Sequence, residues 1–365
     1  MIALLVIAIL VVLIVGHELG HFIVAKLMGV RVVEFGLGYP PRAFRIGRWG
    51  GTEYTINWLP FGGFVRLYGD ELEHEELTGK KKLWSLANAP LYAQALILAA
   101  GIVMNIFLGW ALFTLGFMEG LPTSVPEGTP GAHLVVNGVL PNSPAEVAGI
   151  TTGDELLSIT ADDGTAAKDM TPTAVIAFVQ AHGGKKLTLT YDRAGATETA
   201  TIIPAHAVLT ETAGRPALGV ALALVSETHV SVIGAIVAGF YRTIDILTQV
   251  TVGIYGLIAD ALHGHLDLTS VIGPVGLVSV VDTAAGYGWG QILGIAAFIS
   301  INLAVINLIP IPAFDGGRLL FVALEALFRR RIPSLIAQFF NLAGFGLIII
   351  LMVLVTYHDI AHLLG

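Results

Sequence analysis

The sequence predicts a polytopic α-helical membrane protein with about four transmembrane helices, a membrane-associated β-hairpin region after the first helix, and an inserted α+β domain. Of its 365 residues, 55% are hydrophobic and only 13% are charged. The mean hydropathy is +0.79, which is typical of proteins embedded in lipid. Several long apolar runs are interrupted by residues 128–228, where short alternating segments and turns replace them. These observations together indicate a membrane protein that carries one soluble insertion.

Three segments offer the roughly 20 apolar residues that cross a hydrocarbon core of about 30 Å, namely 2–28, 91–118 and 335–357. A fourth candidate span, 291–313, is interrupted by polar residues and prolines, namely Asn302, Asn307, Pro310 and Pro312. Such interruptions are typical of a helix that lines a polar site.

The segment 230–262 is apolar, but Arg242, Asp245 and Gln249 recur in it at helical spacing. Such a pattern favours an interfacial helix that lies on the membrane. A fifth transmembrane span is the alternative.

Lys and Arg residues collect in the loop after the first helix and in the loop before the last one, for example at Arg42, at Lys80 to Lys82 and at Arg329 to Arg331. The positive-inside rule then predicts that both loops are cytoplasmic and that the segment 119–229 lies on the opposite side. The formal charge of -8 and the lack of a long basic cluster argue against a nucleic-acid partner. The absence of cysteine excludes disulfides and thiolate metal sites.

The first apolar segment contains the stretch HELGH, in which His17 and His21 are four residues apart. In a helix both imidazoles project from one face and can bind one metal ion, while Glu18 lies beside it. This is the H-E-x-x-H pattern of zinc hydrolases, in which the glutamate is the general base. Ionisable groups are costly at bilayer depth, so a metal site is favoured over a polar cluster that only joins helices.

Zinc needs a third protein ligand, and Asp315 in NLIPIPAFDGGR is the candidate. We expect Asp315 at the end of a helix that runs from outside to inside. His17 lies roughly 22 Å along a helix of the same direction, so the two residues should meet at similar depth. The similar pattern YHDIAH, with His358, Asp359 and His362, is interpreted as interfacial, as is the pair His263 and His265.

The motifs HELGH and NLIPIPAFDGG, in this order and membrane setting, resemble the two signatures of the site-2 protease family of intramembrane zinc metalloproteases. The resemblance covers nearly the whole chain and is strongest to the bacterial branch that includes the regulator of sigma-E protease. It implies Zn2+ bound by His17, His21 and Asp315, with Glu18 as general base. Asn307 is implied to position substrate or stabilise the reaction centre. Phe314 stands where the family has leucine, an apolar exchange.

Three further stretches are similar to that branch. Residues 30–70 resemble a membrane-reentrant β-hairpin whose Gly-Gly loop, Gly62 and Gly63, is implied to bind substrate; an ordinary surface hairpin is the alternative. Gly101 and Asn105 resemble the G-x-x-x-N element, which makes Asn105 a candidate for substrate binding, although helix packing explains the glycine equally well. VIGPVGLV at 271–278 matches a family stretch to which no chemistry is assigned.

The insertion resembles a single bacterial PDZ domain. We expect one helix opened by Ser143, Pro144 and Glu146, a second helix that begins near Pro172, and strands in LTLTYDR and TETATIIPA. RPALGVAL resembles the peptide-binding loop, with Leu218, Gly219 and Val220 in the groove. Peptide binding at a sheet edge and steric exclusion of bulky substrates are equally favoured roles.

The predicted organisation is a membrane half at 1–118, the extracytoplasmic PDZ domain at 119–228, and a second membrane half at 229–365. The resemblance implies a multi-pass protease of the bacterial inner (cytoplasmic) membrane with its active site towards the cytoplasmic side. Its expected substrates are single-span membrane proteins, such as an anti-sigma factor or a leftover signal peptide. The alternatives are a non-enzymatic PDZ membrane scaffold with a structural metal site and, less favoured, a metal transporter.

Overall fold

The protein is described by a computed structural model that covers residues 1–69, 85–193, 195–205, 215–226, 230–264 and 273–364. The chain divides into two compact units. The first comprises Met1–Gly116 and Ser231–Gly365, and the second is Phe117–Val230.

The described residues form helices and strands in the following order. The helices are α1 (Ile2–Leu27), α2 (Leu91–Met118), α3 (Pro144–Val147), α4 (Pro172–Ala181), α5 (Val232–Leu262), α6 (Pro274–Gly286), α7 (Trp289–Leu308), α8 (Asp315–Phe328) and α9 (Ser334–Leu364). The strands are β1 (Val32–Trp49), β2 (Thr52–Leu67), β3 (Thr123–Ser124), β4 (His133–Val139), β5 (Glu155–Ala161), β6 (Leu187–Arg193), β7 (Ala196–Ile202) and β8 (Val220–Ser226).

Within the described ranges, five helices are long and apolar enough to cross a membrane: α1, α2, α5, α7 and the Leu335–Tyr357 part of α9. This confirms a membrane protein with several apolar helices. The segment predicted at 230–262 is one continuous helix. Its Arg242 and Asp245 form an exposed ion pair with an Nη1 to Oδ2 distance of 2.8 Å.

The predicted span over 291–313, with Asp315 at the end of that helix, is wrong in its last part. Helix α7 ends at Leu308, and Ile309 has the extended backbone angles φ −61° and ψ 134°. Pro310 and Pro312 lack the N–H group that a continuing helix needs, and each proline disfavours helical angles in the residue before it. Asp315 therefore begins the separate helix α8 instead of ending α7.

The predicted hairpin after α1 is confirmed, because β1 and β2 pair with each other. Both strands bend, so residues 34–37 of β1 have partners on two sides. Phe35, for example, pairs with Val65 on one side and with Tyr54 on the other. The segment Gly63–Leu67 is consequently an outer edge of this sheet, and no other described strand pairs with it.

A buried carboxylate joins the bent segments of the hairpin. Glu34 is only 5% exposed. Its Oε1 lies 3.1 Å from Arg42 Nη2 and accepts a hydrogen bond of 2.8 Å from Thr55 Oγ1, while its Oε2 lies 3.2 Å from Arg66 Nη2. Two guanidinium groups thus compensate for the burial of one carboxylate.

The second unit contains a six-stranded sheet with the order β3-β8-β4-β5-β6-β7. Its core includes Leu134, Ile159, Val175 and Leu189. Ser143 caps α3 by accepting a hydrogen bond from the Glu146 N–H, and Pro144 occupies the first turn, as predicted. The second predicted helix and both predicted strands are also confirmed.

One ion pair connects β6 to the turn before β5. Asp154 is 1% exposed. Its Oδ1 and Oδ2 accept hydrogen bonds from Nε and Nη2 of Arg193, both at 2.7 Å, and Oδ2 also accepts one from the Thr151 N–H at 2.8 Å. Hydrogen bonding to Asp154 raises the pKa of the Arg193 guanidinium above its ordinary value.

We predict that Arg193→Ala lowers the free energy of opening of the second unit by about 3 kcal/mol, because removing one partner leaves a buried carboxylate without its counter-ion. Native-state hydrogen exchange of the β5 and β6 amides in the full-length protein measures this change. Lys185→Ala is the control, since Lys185 and Asp163 form an exposed ion pair with an Nζ to Oδ2 distance of 2.9 Å, and exposed pairs contribute little to stability. Equal losses in the two variants would contradict the prediction.

Candidate metal centre

Helix α1 carries both histidines of HELGH on one buried face. His17 and His21 are each 7% exposed. Their rings are nearly perpendicular, at 84°, and the ring centroids lie 4.7 Å apart. The two Nε2 atoms are 3.1 Å apart. The helical spacing therefore brings the two nitrogens together as the sequence predicted.

Asp315 reaches the same point from the first turn of α8. The loop after α7 folds back over this turn, and Gly316 and Gly317 allow the close approach. A Cβ atom on Gly316 would collide with the carbonyl oxygens of Leu308 and Ile309, and one on Gly317 would collide with that of Ile311. The two glycines after the aspartate thus let the proline-containing loop present its carboxylate.

The three side chains form a compact triangle of ligand atoms. Asp315 Oδ2 lies 3.0 Å from His17 Nε2 and 3.3 Å from His21 Nε2, and the Nε2 atoms are 3.1 Å apart. Tetrahedral zinc with bonds of about 2.0–2.1 Å separates its ligand atoms by about 3.3 Å. Two imidazoles and one carboxylate fit zinc in both chemistry and spacing, and they form the metal-ligating cluster found among the described residues.

Glu18 faces the same cavity but is not one of the three clustered ligands. Its carboxylate lies within hydrogen-bonding reach of the Val65 backbone amide on β2. A Cβ atom on Gly63 would be 3.8 Å from Cγ of Glu18. The hairpin edge therefore runs directly beside the candidate general base.

The cavity at this centre has a volume of about 320 Å³. Its polar lining consists of His17, Glu18, His21, Tyr39, Asn105, Asn307, Asp315 and Arg318. Phe64 and Val65 supply part of its apolar wall. A polar centre enclosed by apolar side chains is typical of a binding site for a partly apolar ligand.

The predicted substrate-binding residues occupy different positions around this cavity. Asn307 and Asn105 line it from α7 and α2. Gly62 and Gly63 are buried on β2. A Cβ atom on Gly62 would be 3.2 Å from the Tyr39 ring and 3.4 Å from Ile14. Their roles in substrate binding remain predictions.

Sequence reasoning missed Tyr39 and Arg318. Arg318 follows Asp315 by three residues, so both lie on one face of α8. The spacing would have indicated Arg318 only if the helix had been predicted to begin at Asp315. Tyr39 gave no local signal, because the bend of β1 brings it to the cavity.

The predicted groove residues of the second unit lie at the start of β8. Leu218 is 4% exposed and belongs to the core of the unit. Gly219 has a left-handed φ of 81°, and its carbonyl oxygen accepts a hydrogen bond from the Leu140 N–H. Val220 pairs with Val139, whereas β3 pairs with β8 only at Val225 and Ser226. Among the described residues, Val220–Ala223 therefore has no strand partner on that edge.

The remaining histidine patterns give no second metal cluster among the described residues. His263 Nδ1 lies 2.6 Å from the Ala259 carbonyl oxygen of its own helix. His265 and residues 271–272 lie outside the described residues, as do the side chains of His358, Asp359 and His362.

Comparison with known proteins identifies the family. The model of peptidase family M50 matches residues 5–351. A Clostridium perfringens protein provisionally named a zinc metalloprotease is 35% identical over 95% of both chains. Zinc metalloprotease RasP of Oceanobacillus iheyensis is 28% identical over 95% of this chain and 96% of that protein. Regulator of sigma-W protease RasP of Bacillus subtilis is 26% identical over 95% of both.

The match extends over almost the whole chain and includes both motifs from which the resemblance was drawn. The expectation of a zinc metallopeptidase is thereby confirmed. The chain belongs to peptidase family M50, the site-2 protease family of zinc metalloproteases.

Proposed function

We propose that this protein hydrolyses peptide bonds in or near the transmembrane segment of single-span membrane proteins. The observation that carries the proposal is the buried triangle of His17, His21 and Asp315 with Glu18 in the same cavity. A metal scaffold needs the three ligands but has no use for an unligated carboxylate beside them. A peptidase needs one as a general base.

Zinc, when bound, polarises a scissile carbonyl and lowers the pKa of water. The chain's own groups would do the rest. Glu18 takes a proton from the attacking water and delivers it to the leaving amine. The backbone amide of Val65 lies beside the Glu18 carboxylate. Asn307 lies in the cavity, where its amide can bind the substrate backbone.

The edge segment Gly63–Leu67 supports cleavage of an unwound substrate. A transmembrane helix hides its carbonyls in internal hydrogen bonds, so the cleavage site must first become extended. An extended segment can add to a free sheet edge through main-chain hydrogen bonds. Because Phe64, Val65 and Leu67 line the cavity, a strand added there would pass beside Glu18.

The second unit is proposed to be a PDZ domain that selects substrates. Among the described residues its edge at Val220–Ala223 has no strand partner, which supports peptide binding, and its size supports steric exclusion of bulky outer domains. The proposed organisation is a membrane half at 1–118, the PDZ domain at 119–228 and a second membrane half at 229–365. The PDZ domain would be extracytoplasmic and the metal centre towards the cytoplasmic side of a bacterial inner membrane.

Anti-sigma factors and leftover signal peptides are the proposed substrates. One relative is named a regulator of sigma-W protease, which supports the first class. Both classes have one membrane span and a shortened outer portion, as the proposed selection requires. The non-enzymatic scaffold remains the second candidate, and the first two experiments below separate it from the protease.

Glu18→Gln is expected to abolish cleavage and to retain one zinc per chain, because the amide cannot accept the proton and the three ligands remain. Co-expression with a tagged single-span substrate that lacks most of its outer domain, followed by immunoblotting, measures cleavage. Metal analysis of the purified protein measures zinc. The same shortened product in wild type and variant would assign the cleavage to another protease.

Asp315→Ala is expected to lose both zinc and activity, since two histidines alone do not complete the site. Affinity for zinc should fall by at least 100-fold in a chelator competition assay. Asp245→Ala is the control, because Asp245 pairs with Arg242 on the exposed side of α5. Unchanged zinc content in Asp315→Ala would show that the third ligand is another residue.

Deletion of 119–228, closed by a short Gly-Ser linker, is expected to relax substrate selection without loss of chemistry. Substrates with intact outer domains should become cleavable, while substrates already trimmed should be cleaved about as well as by wild type. Immunoblots of paired long and trimmed substrates measure the difference, and the same deletion in Glu18→Gln is the control. A folded deletion variant that cleaves neither substrate would contradict the selection role.

A further inference from the structure

A buried stripe of α2 faces both candidate histidine ligands. It consists of Ile97, Gly101 and Asn105, which are spaced four residues apart on one helix face. A Cβ atom on Gly101 would collide with His21 Nε2 and would lie 2.6 Å from His17 Cε1. The glycine therefore permits both rings to lie against α2. Ile97, one turn before it, contacts the His21 ring, and Asn105, one turn after it, contacts the His17 ring.

The contact with Ile97 indicates which ring nitrogen of neutral His21 carries the hydrogen. His21 Nδ1 lies 2.7 Å from the Ile97 carbonyl oxygen. A carbonyl oxygen can only accept a hydrogen bond, so Nδ1 carries the hydrogen and donates it. The other ring nitrogen, Nε2, then presents its lone pair to the ligand triangle, as a metal ligand must.

The corresponding contact of His17 is with Asn105. The Asn105 side-chain amide lies 3.2 Å from His17 Nδ1, with Nδ2 as the nearer atom. The Asn105 Oδ1 is buried and has no hydrogen-bond partner. If Nδ2 donated to Nδ1, the hydrogen of the neutral ring would be on Nε2, and that nitrogen could not bind a metal.

A half-turn of the amide resolves this conflict. Nitrogen and oxygen of an asparagine amide are assigned from the hydrogen-bond network. After rotation, Oδ1 faces His17 Nδ1 and accepts its hydrogen, which leaves Nε2 free. Either orientation leaves one amide atom of Asn105 without a partner. The choice between them follows from His17, whose Nε2 must carry no hydrogen if it is to bind a metal.

The position of Asn105 is itself fixed by α7. Asn105 is fully buried, with 0% exposure. Its carbonyl oxygen accepts a hydrogen bond of 2.8 Å from Ser300 Oγ, which is also fully buried. The side chain thus projects from an anchored backbone towards a single partner ring.

We propose that Asn105 is a positioning residue of the metal centre. Its side-chain oxygen accepts the hydrogen of His17 Nδ1, holds the ring, and keeps Nε2 available for the ion. This inference rests on the proposed metallopeptidase function, and it assigns Asn105 to the metal centre instead of to substrate binding. Partners of this kind typically affect metal affinity by about 10- to 100-fold.

The test uses the detergent-solubilised full-length protein and Zn2+ in competition with a chromogenic chelator. Asn105→Leu, which has similar volume and no hydrogen-bonding group, is expected to lower zinc affinity by about 10- to 100-fold. Asn105→Asp keeps an acceptor oxygen and is expected to stay within about threefold of wild type. The visible absorption of the Co2+ form should likewise change in Asn105→Leu and be restored in Asn105→Asp.

Asn302→Leu is the matched control, because the amide of Asn302 donates to the Phe298 carbonyl oxygen of its own helix. It should bind zinc as wild type does. If leucine prevents folding at position 105, Asn105→Ala carries the same expected loss.

Wild-type affinity in Asn105→Leu would overturn the inference, and equal loss in the leucine and aspartate variants would overturn the acceptor role. If wild type itself bound no zinc, the proposed metallopeptidase function would fail, and the inference with it. A wild type that binds zinc but cleaves nothing would leave the affinity comparison valid and count against the protease alone.

Discussion

The close approach of α1 to α2 is the constraint on which the candidate metal centre depends. A Cβ atom on Gly20 would collide with the Ala100 carbonyl oxygen, and one on Gly101 would collide with His21 Nε2. Small residues let the two helix backbones approach closely. Groups on α2 then take the place of water as hydrogen-bond partners of the two imidazoles. The cost of burying the histidines is offset because both rings have a partner on α2.

The break between α7 and α8 supplies what two straight helices cannot. Within a continuous helix, the direction in which a carboxylate side chain projects is set by the helical repeat. Pro310 and Pro312 end α7, and the glycines after Asp315 allow α8 to start against the returning loop. The third candidate ligand therefore lies at a helix start, where its position follows from the loop instead of from helical periodicity. Irregular backbone at membrane depth is tolerated where it lines a cavity.

The hairpin supplies a further wall of the site. Among the described strands, its segment Gly63–Leu67 is paired on one edge only, and it lies beside Glu18. The buried Glu34 with Arg42 and Arg66 joins the bent segments, so the edge is held by charges within the hairpin. An unpaired strand edge is a liability in most proteins. Here it adjoins the cavity that contains Glu18.

The sequence by itself determined which side chains share a helix face. The spacing of His17 and His21 predicts one shared ligand position, and the apolar setting makes a metal the favoured reason for it. It also indicated the hairpin and the elements of the second unit. These inferences succeed because helical periodicity, proline and capping residues act within a few residues of chain. Asp315 as the third ligand stays a prediction.

Only the tertiary structure decided that Asp315 starts a helix, that the hairpin edge lies against Glu18, and that Tyr39 and Arg318 line the cavity. Asn105 was visible in the sequence, but its contact with His17 was not. These features depend on how helices cross and where strands bend. Contacts between residues far apart in sequence, such as the 88 positions between His17 and Asn105, follow from packing of whole elements, and local pattern does not encode them.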